Sequence, residues 1–86
     1  MTKRYDEPID VDLSGRAPVS FSWRGRRYTV QRLLKHWRES AATWDPARAV
    51  DQDCYRVEAD GGTYELRLDR RAVTDQPAWR LARVWD

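Results

Sequence analysis

Apolar and polar residues alternate with a period of two along most of this chain. Ile9, Val11 and Leu13 alternate with Asp10 and Asp12, the pattern of a strand with one buried and one wet face. Pro8 at its start lacks the N–H that a ladder hydrogen bond needs, which predicts a place at a sheet edge. Ser14-Gly15 follows as a turn.

Residues 19–30 predict a hairpin around Arg24-Gly25. A two-residue loop there pairs Trp23 with Arg26, Ser22 with Arg27, Phe21 with Tyr28, Ser20 with Thr29 and Val19 with Val30. One face then carries Val19, Phe21, Tyr28 and Val30, the other Ser20, Ser22, Arg27 and Thr29. A slip of one residue would mix the two sets, so the clean split supports this register.

A second hairpin surrounds Asp60-Gly61, a dipeptide suited to a type I′ turn. It pairs Val57 with Tyr64 and Tyr55 with Leu66 on one face, and Arg56 with Glu65 and Glu58 with Thr63 on the other. A turn at Gly61-Gly62 would instead oppose Glu58 to Glu65 and Arg56 to Arg67, and directly opposed like charges are unfavourable. A last strand runs from Ala78 to Trp85, after a loop marked by Thr74-Asp75-Gln76-Pro77.

Residues 31–44 fit two patterns. Val30, Leu33, Leu34, Trp37, Ala41 and Trp44 follow helical spacing. They also fit a long strand with a bulge at Leu33-Leu34, which would return Trp37 to the inner face. Asp45-Pro46 ends either element, and Pro46 to Asp53 reads as a loop. The predicted inward set is Val19, Phe21, Tyr28, Val30, Trp37, Tyr55, Val57, Tyr64, Leu66, Trp79 and Leu81.

Eighty-six residues make a single β domain, 1–86. Charged residues are 35% of the chain and the mean hydropathy is −0.90, so the core must rest on few, large side chains. Five Trp and four Tyr supply them. The single cysteine, Cys54, excludes an intrachain disulfide and a Cys-based zinc site, and fits a reducing, cytoplasmic setting. The N-terminal residues lack an apolar signal region and no segment is apolar enough for a membrane span, so no membrane association is expected.

Charge changes the picture more than composition does. Residues 16–38 hold seven cations and no acid, whereas residues 39–69 hold eight acids and three cations. Trp23, Tyr28 and Trp37 lie inside the basic run. Cations interleaved with aromatics suit a phosphate backbone and unstacked bases. The expected nucleic-acid contacts are Arg24, Arg26 and Arg27 at the hairpin turn, Arg32, Lys35 and Arg38 beyond it, and Trp23 as a stacking group, with weak, salt-dependent binding of DNA or RNA. The competing reading is a solvated face whose arginines pair with Asp10, Asp12 or the acids of 39–69.

Catalytic chemistry is not expected. His36 is the single histidine and reads as a surface or structural residue. Cys54 faces Arg67 in the preferred register, which favours thiolate, but no base or resolving cysteine accompanies it. Asp51 and Asp53 lack the Gly-bearing loop of a calcium site. No phosphate loop or nucleophile elbow is present, and neither a cofactor nor a metal is expected.

The succession Phe-Ser-Trp-Arg-Gly-Arg-Arg-Tyr-Thr-Val (21–30), Leu-Leu-Lys-His-Trp (33–37), Tyr-Arg-Val-Glu-Ala-Asp-Gly-Gly-Thr-Tyr-Glu-Leu (55–66) and Trp-Arg-Leu-Ala-Arg-Val-Trp-Asp (79–86) resembles a small uncharacterised domain of actinobacteria. That domain stands alone or resembles the C-terminal end of catalytically inactive Y-family (ImuB-type) translesion polymerase homologues. The resemblance implies a β-rich fold, a long strand continuing through 31–37 and a DNA-repair setting. It carries over no catalytic or binding residue.

The expectation is therefore an all-β domain, with five or six antiparallel strands in a strongly bent sheet or small open barrel and a bulged strand, or short helix, near 31–38. Its expected role is a non-catalytic nucleic-acid-binding module. The alternative is a protein-interaction module that docks on a repair or other partner through a sheet edge or an aromatic patch.

Overall fold

The computed structural model describes residues 2–41, 50–70 and 78–85. They form seven antiparallel strands: β1 (Thr2–Pro8), β2 (Asp10–Ser14), β3 (Ala17–Trp23), β4 (Arg26–Ala41), β5 (Val50–Ala59), β6 (Gly62–Asp69) and β7 (Ala78–Trp85). All belong to one sheet with the order β1-β7-β6-β5-β4-β3-β2. The fold is all-β, as expected, and the strand beyond the expected five or six is β1.

β1 and β2 are joined by Ile9 alone, yet they occupy opposite edges of the sheet. This is possible only because the sheet curls until its edges approach. The Ile9 N–H donates to the carbonyl of Trp79 at 3.2 Å, tying the junction to β7. The result is a half-barrel, closed at the end where Tyr5 meets Trp23 (ring centroids 5.1 Å apart). Pro8 does lie on an edge strand, β1.

Both hairpins take the expected registers. Phe21 faces Tyr28 and Trp23 faces Arg26; Val57 faces Tyr64, Arg56 faces Glu65 and Glu58 faces Thr63. Each two-residue turn has both φ values positive, 53° and 77° at Arg24-Gly25 and 47° and 81° at Asp60-Gly61. That is the type I′ geometry whose twist matches the flanking strands.

β4 is a strand, not a helix, but it carries two irregularities rather than one. The register slips between Val30 and Arg32 and again between Leu33 and Lys35. One bulge reverses the inside–outside alternation and a second restores it. His36 therefore pairs with Tyr55 on the inner face, and Trp37 pairs with Cys54 on the outer face. This corrects the expected inward position of Trp37, which is half-buried.

Val19 is a second correction. On β2 Asp12 faces Ser20 and Leu13 faces Pro18, so Val19 is the unpaired bulge residue and is 41% exposed. Val30 is only half-buried. The expected loop at Pro46 to Asp53 is also corrected, since β5 begins at Val50. Cross-strand pairing with 38–41 holds Asp51 to Asp53 extended despite their low strand propensity. Residues 42–49 and 71–77, including Trp44, Asp45-Pro46 and the marked loop at 74–77, lie outside the described residues.

The core fills the concave face. Phe21, Val57, Leu66 and Leu81 are almost fully buried, with Ile9, Tyr28, Tyr55, Tyr64, Trp79 and Val84 around them. Phe21 stacks on Tyr28 at 4.9 Å and meets the edge of Tyr64 at 5.4 Å. An aromatic cluster of this kind supplies the buried area that so polar a chain otherwise lacks.

Candidate functional site

Strand alternation scatters the basic run over more than one surface. Arg24 and Arg26 sit at the hairpin turn, Arg27, Arg32 and Lys35 point outward, and Arg38 faces the concave side opposite Asp53. Five of these side chains meet an acid. Arg24 donates to Glu7 through both Nε (3.1 Å) and Nη2 (2.8 Å), and Arg38 grips Asp51 in the same two-pronged way. Arg27 reaches Asp12 at 2.6 Å, while Arg26 and Arg32 approach Asp60 and Glu58 at 3.6 Å. Pairing at the turn is thus plentiful, as in the competing reading of a solvated face, with Glu7 as a further partner. The Arg24 guanidinium holds the Glu7 carboxyl below its ordinary range.

Trp23 is not a free stacking platform. It is half-buried, with Tyr5 edge-on at 5.1 Å and the Arg24 guanidinium over its ring at 4.8 Å.

Lys35 differs from its neighbours. It has no acid partner among the described residues and lies 5.4 Å from the centre of the Trp37 ring. Its register position begins a rung that crosses the outer face: Lys35 opposite Arg56, Arg56 opposite Glu65, Glu65 opposite Arg83, Arg83 opposite Arg4. At ordinary strand spacing the rung spans roughly 19 Å. The Arg56 guanidinium lies between Trp37 (5.6 Å) and Trp85 (4.8 Å). Its Nε is buried without a hydrogen-bond partner among the described residues.

Glu65, 2% exposed, is the carboxylate at the centre of this rung. Arg67 donates to its Oε2 through Nε (3.0 Å) and Nη2 (2.9 Å), and Arg67 Nη1 also reaches Glu39 at 3.2 Å. Arg80 pairs with Asp6. Arg4 and Arg83, directly opposed across β1 and β7, have no acid partner among the described residues. Together with Arg67 and Arg80 they line a surface cavity of about 300 Å³. Sequence reasoning missed this group because it joins residues 3–4 to residues 80–83 through a pairing with no local signal.

The remaining sequence candidates are Cys54, Asp51 and Asp53. Cys54 is fully buried beneath this face, and burial pushes its thiol up to about 11 despite the nearby Arg67 charge. The expected drift toward thiolate is therefore corrected. Asp51 and Asp53 are engaged by Arg38 and Arg70. No group of metal-ligating side chains occurs among the described residues. No helix there is long and apolar enough to cross a membrane.

No curated protein and no solved structure matches the chain. One family matches along residues 1–86, the Domain of unknown function (DUF6504), and the chain belongs to that family.

Proposed function

We propose that this domain is a non-catalytic binding module for nucleic acid and that the convex outer face makes the contact. The observation that carries this reading is the rung Lys35–Arg56–Glu65–Arg83–Arg4, flanked by Trp37 and Trp85. Three of its four cations, Lys35, Arg83 and Arg4, have no acid partner among the described residues. A polyanion relieves the repulsion between opposed cations, and the half-buried rings of Trp37 and Trp85 hold the Arg56 guanidinium in place between them. The resemblance of 21–37, 55–66 and 79–86 to the C-terminal end of inactive translesion polymerase homologues supports a DNA-repair setting.

The arginines at the hairpin turn have a secondary role in this reading. Exposed ion pairs are weak, so phosphate can compete for Arg24, Arg26 and Arg27, but their acids cancel the local field. The test is a titration of fluorescent single- and double-stranded DNA at two salt concentrations. Binding should be weak and salt-sensitive. Replacing Lys35, Arg83 and Arg4 with Ser should flatten the log–log salt slope by about one unit for each phosphate interaction removed. Replacing Arg24, Arg26 and Arg27 should change it less.

No binding at low salt would overturn the proposal and favour docking on a protein. A specific feature supports that second reading. β2 is an edge strand whose Leu13 is 44% exposed, beside the exposed bulge at Val19. An unpaired edge with apolar side chains is a template for strand addition.

A further inference from the structure

The concave side of the half-barrel remains open at the end opposite the Tyr5–Trp23 closure. There the β2–β3 turn faces the wall formed by β5, β6 and β7 across a cavity of about 350 Å³. Its described lining is Leu13, Gly15, Arg16, Asp53, Tyr55, Leu68, Arg70 and Trp79. Tyr55 and Trp79 form an aromatic floor, with ring centroids 5.4 Å apart and both side chains anchored in the core. Leu13 leaves apolar surface uncovered at the rim.

The charges here are not balanced. Asp53 is buried and already engaged: Arg70 donates to its Oδ2 at 2.8 Å, and His36 Nε2 lies 3.6 Å from its Oδ1. Arg16 has no acid partner among the described residues, and it lines the cavity together with Tyr55. A concavity with an aromatic floor, a few convergent polar groups and one uncommitted cation at its mouth suits a small ligand.

We infer that this cavity binds a small planar organic anion, with its apolar body against Tyr55, Trp79 and Leu13 and its carboxylate on Arg16. A single carboxylate matches the single uncommitted guanidinium among the described lining residues, and the planar body matches the aromatic floor. Asp53 refuses a second negative group and Arg70 is already committed to it, so a dianion is disfavoured. This site is separate from the convex face and does not depend on nucleic-acid binding.

The test uses the whole chain and two probes, indole-3-acetate and its neutral amide, followed by amide and indole N–H shifts in two-dimensional NMR. The acid should give saturable shifts at the Trp79 indole and at the backbone of Tyr55, Leu68 and Arg16. The amide should bind roughly tenfold more weakly, the effect of one charge-assisted hydrogen bond. Arg16→Ser should bring the acid down to the level of the amide. Leu13→Asp should weaken both probes, and serves in its place if Arg16→Ser fails to fold. Equal binding of acid and amide, shifts confined to the convex face, or no saturable shift at all would overturn the inference.

Discussion

The imidazole of His36 lies flat on the ring of Tyr55, with centroids 4.4 Å apart and planes 7° from parallel. The stack joins β4 to β5 on the inner face and brings Nε2 of His36 toward Asp53, which Arg70 holds from the other side. Burial pushes the Asp53 carboxyl up, but the hydrogen bonds and charges of Arg70 and His36 outweigh it and leave the group below its ordinary 3.8. Trp37, Gln52 and Arg67 likewise hold Glu39 below its ordinary 4.5. A depressed carboxylate stabilises the fold above its unfolded value, and that stability is lost as pH falls through the folded one. Denaturant midpoints should therefore be flat near neutrality and fall below about pH 4.5. Asp53→Asn should lower the neutral plateau and shallow the acid limb. An unchanged acid limb would show that the Asp53 cluster adds nothing to folding.

Simple alternation puts Phe21 and Val19 on one face, and the bulge separates them. Phe21→Ala should cost about 3–5 kcal/mol because the ring is buried and the space it leaves cannot fully collapse. Val19→Ala should stay within about 0.5 kcal/mol, as an exposed bulge residue packs against little. Chemical denaturation of both variants checks the difference. Similar costs would mean that Val19 points inward in solution.

Cys54 should behave as an inert thiol. With its side chain fully buried and its titration pushed up to about 11, it presents almost no thiolate at neutral pH. Ellman's reagent should label the native protein slowly and the denatured protein at once. Fast labelling under native conditions would show that the outer face opens readily around β4 and β5.

The turn at Asp60-Gly61 requires a residue that tolerates a φ of 81°. An added Cβ at Gly61 would meet no neighbouring atom, so Gly61→Ala measures backbone strain alone. The expected cost is about 1–2 kcal/mol. A neutral result would mean the hairpin relaxes into another turn type without losing its register.

The sheet was legible wherever its pairing was local. Face splitting and charge opposition settled both hairpin registers, since Asp60-Gly61 and Arg24-Gly25 lie between the strands they join. β1 was not legible, because Thr2 to Pro8 offers one large apolar residue, Tyr5, and pairs with a strand at the far end of the chain. The double bulge of β4 was half-legible. Leu33-Leu34 marked one slip, but the slip at Gln31 reflects the curvature β4 adopts against β5, which no side-chain pattern on β4 records. The arginine partners were hidden for the same reason: Arg80 meets Asp6 only once β1 pairs with β7, and Arg24 meets Glu7 only after the sheet has curled.

The pairing of Thr2 with Trp85 sets the order in which the molecule can be completed. During synthesis the β2–β3–β4 unit and the β5–β6 hairpin can form as soon as they emerge, since their partners are neighbours in sequence. β1, the first strand made, must wait for β7, the last. Until then its backbone donors and acceptors stay unpaired, and so do those on the outward side of β6. The charges of Lys3, Arg4, Asp6 and Glu7 suit that interval, because a polar, charged strand resists pairing with other nascent chains. The final step is a long-range closure, the slowest kind of contact to find. A chain halted before residue 78 should therefore hold native-like hairpins but lack the cooperative unfolding of the finished domain.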